Sequence, residues 1–148
     1  MKKIALATLA ALVFAASAQA AAKPLVPVFI QGLIKRNAGA QAYVPTRAPF
    51  RYQYLSYRWV PATHTLTIRV ADKRYPNLAK HTVAFTVVPF KGNCAAGNQK
   101  SYQVDGNKTY SDAGVAWRCL NGVKLLAAGP NLPEVALAQV VASGKRLR

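Results

Sequence analysis

Acidic residues are scarce in this sequence. Its 148 residues include only Asp72, Asp105, Asp112 and Glu134, against 20 Lys and Arg, for a net charge of +16. No two of these acids have a spacing that implies convergence, so the paired carboxylates of general acid–base or glycosidase chemistry have no candidate. Histidine and cysteine are as sparse, with His64, His81, Cys94 and Cys119 making up the full complement. Each histidine opens a stretch of alternating apolar residues. If those stretches are antiparallel neighbours, the two rings lie at opposite ends, about 20 Å or more apart, too far to share a metal. Both therefore read as lone strand-end residues without nearby acids. Ser56, Ser101, Ser111 and Ser143 lack a nucleophile-elbow or Ser-x-x-Lys context, and no phosphate loop is present. No catalytic residue, no metal ligand and no cofactor site is expected, which leaves enzymatic activity without an identifiable centre.

Long apolar runs are also missing after the first 20 residues. The N-terminus itself has the parts of a secretory signal peptide: Lys2-Lys3, an apolar run from Ile4 to Ala16, and Ala18-Gln19-Ala20 for cleavage. The run is too short to span a bilayer, which needs about 20 residues. Residues 1–20 are thus expected to be removed, leaving residues 21–148 as a single domain in the bacterial periplasm or outside the cell. No transmembrane segment is expected to remain after cleavage. Without Lys2 and Lys3 the formal charge is still +14. A field this one-sided concentrates anions, and in a bacterial envelope these are lipid phosphates, lipopolysaccharide, peptidoglycan carboxylates and imported nucleic acid. A solvated surface biased towards solubility accounts for the same charge.

The pattern of the remaining residues is α+β. Apolar residues at 25, 26, 29, 30, 33 and 34 make a helical stripe over 23–36, and Lys35-Arg36 suit its C-terminal end. Residues 37–50 read as an extended connector with one short strand. Strands follow at 50–60, with a bulge near Tyr54-Leu55 where the alternation changes phase, and at 63–71 and 81–89. Asp105-Gly106 marks a hairpin, and Asn121-Gly122 marks a second one joining 114–120 to 123–128. A last helix begins with Asn131 as cap, Pro133 in the first turn and Glu134 reaching back, and Gly144 ends it. The expected architecture is an antiparallel meander of about five to seven strands, with the N-terminal and C-terminal helices on one face.

Cys94 and Cys119 are an even pair in an exported chain, which favours one disulfide. No catalytic-cysteine motif surrounds either residue, and Arg118, adjacent to Cys119 in a strand, points to the opposite face.

Two stretches can carry binding. "FRYQYLSYRW" interleaves Arg51, Tyr52, Tyr54, Arg58 and Trp59, and Arg69 lies on the next strand. Such residues stack rings and hold phosphate or carboxylate, although Tyr and Trp are also ordinary half-buried strand formers. The 114–128 hairpin is apolar on both faces, so Trp117, Leu120, Val123 and Leu125 form a candidate interaction surface unless the hairpin is central in the monomer.

"AYVPTRAPF", "VAWRCLNGVKLLAAG" and "NLPEVALAQVVAS" together resemble exported bacterial domains of unknown function, found alone or in anti-sigma-factor-like and lipoprotein-carrier-like proteins. The resemblance covers about residues 42–144. It implies an open antiparallel sheet packed on helices and no catalytic residues.

The expected function is a non-enzymatic binding or accessory protein whose basic, aromatic-containing sheet face takes an anionic envelope component. That component would be a lipid, lipopolysaccharide or peptidoglycan. The alternatives are a module that docks a periplasmic protein or a second copy through the 114–128 hairpin, and an envelope hydrolase or transferase.

Overall fold

The computed structural model describes residues 23–95 and 97–148, so the signal-peptide reading of residues 1–20 lies outside the described residues. The chain runs as helix α1 (Val28–Ala38), strand β1 (Tyr43–Val44), β2 (Tyr54–Val60), β3 (Thr65–Ala71) and β4 (Thr82–Pro89). It continues as β5 (Lys100–Val104), β6 (Asn107–Asp112), β7 (Val115–Leu120), β8 (Val123–Ala128), α2 (Glu134–Ala142) and β9 (Lys145–Arg146). Seven strands form one antiparallel sheet in the order β2-β3-β4-β8-β7-β6-β5, and β1 pairs with β9 apart from it. The fold is α+β, as the alternating strand patterns imply. The sheet is not one meander, however. It is two, β2–β4 and β5–β8, joined where β4 pairs β8 from Ala84↔Ala128 to Pro89↔Val123.

Period-2 alternation sets the faces. On the core face, Leu66, Ile68 and Val70 of β3 meet Val83, Phe85 and Val87 of β4, and the row continues through Val123, Leu125 and Ala127 of β8 to Ala116 of β7. α2 lies across β5 to β8 and adds Leu137, Ala138, Val140 and Val141 to the same cluster. Ile34 and Ala38 of α1, with Val26, Tyr43 and Val44, belong to that cluster too. On the other face are Thr65, Thr67 and Arg69 of β3, Ala84 and Thr86 of β4, and Trp117 and Cys119 of β7.

Several local expectations are corrected. β2 pairs regularly with β3 from Tyr54↔Ala71 to Val60↔Thr65, so no bulge is needed. The phase change falls where the strand starts, and before it only Gln53 donates to Ala71. α2 begins at Glu134 with Pro133 as N-cap, and no side-chain cap bond is made. Asn131 is held at φ 62° in the preceding turn, so it cannot serve as the cap, and Glu134 turns to Ser111 instead. β9 was not expected; its pairing with β1 is extended by Leu147 N–H donating to the Ala42 carbonyl.

Both expected two-residue hairpins form, with positive φ at Asp105-Gly106 and at Asn121-Gly122. A third has the same geometry at Ala113-Gly114, between Asp112 and Val115. Alanine gives little turn signal, because its Cβ disfavours the left-handed region that it occupies here.

The crossing from β4 to β5 runs over the outer side of β7 and β8. Phe90 N–H bonds the Gly122 carbonyl, Trp117 Nε1 donates to the Cys94 carbonyl at 2.9 Å, and Cys94 is disulfide-bonded to Cys119. Lys124 Nζ sits between the rings of Phe90 and Trp117, 4.9 and 5.1 Å from their centroids.

Two stability predictions follow from these features. The disulfide closes a loop across a sequence separation of 25, so Cys94→Ser/Cys119→Ser should lower the unfolding free energy by about 3–4 kcal/mol in urea titrations. Ala113→Asn, which tolerates the left-handed turn position, should raise it by about 0.5–1 kcal/mol.

Candidate functional site

The sequence-predicted aromatic and basic residues divide between environments. Tyr52 is half-buried and donates its hydroxyl to the Leu25 carbonyl at 2.6 Å. Trp59 packs against the core cluster and meets His64 edge-on. Arg51 is exposed and precedes the strand. Tyr54, Arg58 and Arg69 remain on the outer face, where Ser56, Arg58, Thr67 and Arg69 line a small groove of about 260 Å³. Arg69 also borders a shallow trough of about 790 Å³, floored by Ala84, Ala128 and Gly114. The six residues proposed for anion binding are therefore not one surface, since Tyr52 and Trp59 are used by the fold.

The hairpin residues are placed more decisively. Val123 and Leu125 are 2% and 0% exposed, within the core under α2, and Leu120 packs against that core. Trp117 is covered by the β4–β5 crossing. A partner cannot reach Val123 and Leu125 in this fold. Central burial accounts for both apolar faces of the hairpin, because β8 has neighbours on both edges and cover on both sides.

Nor do the titratable groups converge. His64 lies next to the start of β3 and His81 next to the start of β4, and the register puts these at opposite ends of the pair. His81 does have an acid beside it, contrary to expectation: its Nδ1 is 3.1 Å from Asp72 Oδ2. Burial acts to raise the Asp72 pKa, but bonds from the His81 N–H and side chain and from the Lys80 N–H outweigh it and hold the carboxyl below its ordinary value. Among the described residues there is no cluster of three or more His, Cys, Asp or Glu able to hold a metal.

The concavity with concentrated charge lies elsewhere, beside α1 and the C-terminal segment. A cleft of about 770 Å³ is lined by Lys35, Arg118, Lys145, Arg146 and Arg148, with no acid among its lining residues. Among these, Arg118 is the one that comes from the seven-stranded sheet. Alternation places it on the core face of β7, opposite Cys119, as the sequence indicated. Its Nη1 donates at 3.1 Å to the carbonyl of Ala142, the last residue of α2, whose C-terminal end carries the negative pole of the helix dipole. Partial burial lowers the Arg118 pKa, and the Tyr43 hydroxyl opposes this, yet a guanidinium stays charged at neutral pH. None of the described ion pairs involves Arg118. The remaining guanidinium N–H groups give the cleft a pre-oriented cation suited to a phosphate or carboxylate.

The sequence did contain a signal for this cleft: three cations in the five residues 144–148, immediately after the last helix. That signal was diluted by basic residues spread along the whole chain. Arg118 was not recognisable as a site residue, because only the fold brings β7 beside that tail.

No family model matches the chain, and neither a curated protein nor a solved structure is found similar to it.

Glu134 supplies a pH test of the frame around the site. The Ser111 hydroxyl donates to its carboxylate at 2.8 Å, Lys100 Nζ lies 3.4 Å away, and together they hold its pKa below the ordinary value near 4.5. A carboxyl lowered in the folded state adds stability above its unfolded pKa and loses it as pH falls through the folded one. Ser111→Ala should therefore raise the Glu134 pKa in an NMR titration. Its destabilisation should be larger at about pH 7 than at about pH 2.

Proposed function

We propose that this chain is an exported, non-enzymatic binding protein that holds an anionic envelope ligand in the cleft around Arg118. In this reading residues 1–20 are a signal peptide, residues 21–148 are one periplasmic domain, and both helices cover the same face of the sheet. The formed disulfide supports an oxidising compartment, and no helix among the described residues is long and apolar enough to cross a membrane.

The observation that carries the reading is the composition of the cleft: five cations and no acid among its lining residues, with one of the guanidinium groups, that of Arg118, partly desolvated. Gathering like charges costs self-repulsion, which a bound polyanion relieves. A phosphate or carboxylate would accept from Arg118 at depth, while Lys145, Arg146 and Arg148 neutralise the rest from the exposed tail. No residue would do covalent chemistry.

A second reading keeps the anion on the outer sheet face, supported by the convergence of Arg58 and Arg69 with Ser56 and Thr67 in one groove. Protein docking through the 114–128 hairpin is not favoured, since Val123 and Leu125 are in the core.

Tripolyphosphate titrated calorimetrically into the protein recovered from the periplasm after export of the full chain should bind at about 50 mM salt and weaken steeply by about 300 mM. Arg118→Met should weaken it about tenfold or more, as loss of a charge-assisted hydrogen bond predicts. Lys145→Gln/Arg146→Gln/Arg148→Gln, which alters exposed side chains only, should do the same. Loss in Arg58→Gln/Arg69→Gln alone would move the site to the outer face. No binding at low salt would overturn both readings.

A further inference from the structure

α1 is apolar on two sides. Ile30, Ile34 and Ala38 face inward, with Ile34 and Ala38 buried. Val28 and Phe29 are 72% and 71% exposed, and Leu33 is 36% exposed. With 3.6 residues per turn, Val28, Phe29, Gly32 and Leu33 fall on one outward sector of the helix. Phe29 and Leu33 are one turn apart and adjacent on the surface. Of this row, Phe29 and Leu33 belong to the apolar stripe that the sequence places inward over 23–36, and the structure turns both outward. Nothing among the described residues covers it.

The charge around this ridge is all of one sign. α1 ends with Lys35 and Arg36 and has no acid in its first turn. Lys35 and Gly39 line the cleft of Arg118, so that cleft opens beside the C-terminal end of the helix. A second concavity of about 310 Å³, bordered by Pro24 and Gln31, carries Lys145, Arg146 and Arg148 along the same neighbourhood. An exposed aromatic and a leucine on a helix that ends in two cations and adjoins two acid-free basic concavities match the chemistry of an anionic bilayer surface. Apolar side chains enter the headgroup–acyl boundary there, and Lys and Arg stay at the phosphates. A protein partner of ordinary composition gives no reason for the absence of any acid from this ridge and both concavities.

We propose that α1 seats the protein on anionic membranes, with Val28, Phe29 and Leu33 inserted shallowly and the adjoining cleft taking a lipid headgroup phosphate. This rests on the reading of the cleft as an anion site and names the membrane surface as the source of the anion. The helix would lie in the plane of the interface and would not cross it.

The test is co-sedimentation of the exported protein with vesicles of phosphatidylcholine alone or with about 30% phosphatidylglycerol, at about 100 mM salt. The wild-type protein should partition onto the anionic vesicles only. Phe29→Ser/Leu33→Ser should lower that partitioning about tenfold or more while leaving tripolyphosphate binding unchanged. Because both side chains are exposed, the fold should be retained, and an unchanged circular dichroism melt checks this. Equal vesicle binding by the variant and the wild type would overturn membrane seating while leaving the cleft reading intact. Binding of tripolyphosphate without any binding to vesicles would do the same. A concentration-dependent dimer that Phe29→Ser/Leu33→Ser dissolves, without vesicle binding, would assign the ridge to a second copy of the chain and also overturn the proposal. Loss of tripolyphosphate binding in the wild type would instead remove the reading on which the proposal rests.

Discussion

The β4–β8 pairing is the contact on which the remaining structure depends, because it merges two short meanders into one seven-stranded sheet. A three-stranded piece, β2–β4, presents one apolar row and has little to bury it against. Pairing with β8 extends the row of Leu66, Ile68, Val83 and Phe85 into Leu125 and Ala127, making it wide enough for α2 to cover. The pairing requires the chain to leave β4 at Pro89 and travel to the far edge before returning. A long connection of this kind loses conformational entropy when it is ordered. The Cys94–Cys119 bond, the Trp117 bond to the Cys94 carbonyl and the seating of Lys124 between Phe90 and Trp117 all act on that one connection. They fix the crossing against β7 and β8, and that same cover is what makes the second apolar face of the hairpin acceptable.

Close packing at the other end of the molecule places the cleft. Gly144 follows α2 where a Cβ would lie 2.5 Å from Leu125 Cδ1 and 3.2 Å from the Phe85 ring. The chain therefore turns tightly against the core before β9, and its pairing with β1 carries Lys145, Arg146 and Arg148 back past α1. The end of α2 is held from both sides. The Ser143 hydroxyl accepts from the Thr46 and Arg47 N–H groups, and Arg118 donates to the Ala142 carbonyl. Arg118 thus has a structural task as well as a place in the cleft. A guanidinium has donors enough for both, which a lysine in the same position would not supply in a fixed plane.

The elements that local chemistry decides were legible in the sequence. Alternation located β3 and β4, and Asp105-Gly106 and Asn121-Gly122 located their hairpins, because side-chain period and turn residues act over a few positions. What required tertiary context was not legible. The order of the strands depends on where a Gly/Asn-rich loop crosses; the Cys94–Cys119 pair ties that loop to the end of β7, but nothing in 91–98 says that β4 will pair with β8. The outward row of α1 looked like core because a helical stripe records only that a face is apolar, not that anything covers it. Tyr52 and Trp59 looked like ligand contacts because their composition suits both stacking and packing; only the bond of Tyr52 to Leu25 and the contact of Trp59 with the core separate the two. The cleft combines residues from α1, β7 and the C-terminal tail, and their proximity follows from the β1–β9 pairing, which has two residues on each strand and no sequence signature.

The disposition of the acids bears on why so much positive charge is kept. Asp72 is bound to His81 and the Lys80 N–H, Asp105 pairs with Arg47, and Glu134 is held by Ser111 and Lys100. Three of the four acids are thus committed to structural contacts, and none lines the cleft of Arg118. A charge serving solubility alone would be expected to spread over the surface with both signs interspersed, since repulsion between clustered cations destabilises the compact state. Here the chain gathers five cations at one concavity and puts the exposed Val28 and Phe29 on the adjoining helix. Each feature alone has a bland explanation, as a solvated basic tail or a stray surface aromatic. Their juxtaposition is harder to explain by solubility, because exposed apolar area works against it. The combination is instead what the proposed seating on an anionic surface requires, cations to attract phosphates and apolar side chains that gain by leaving bulk water.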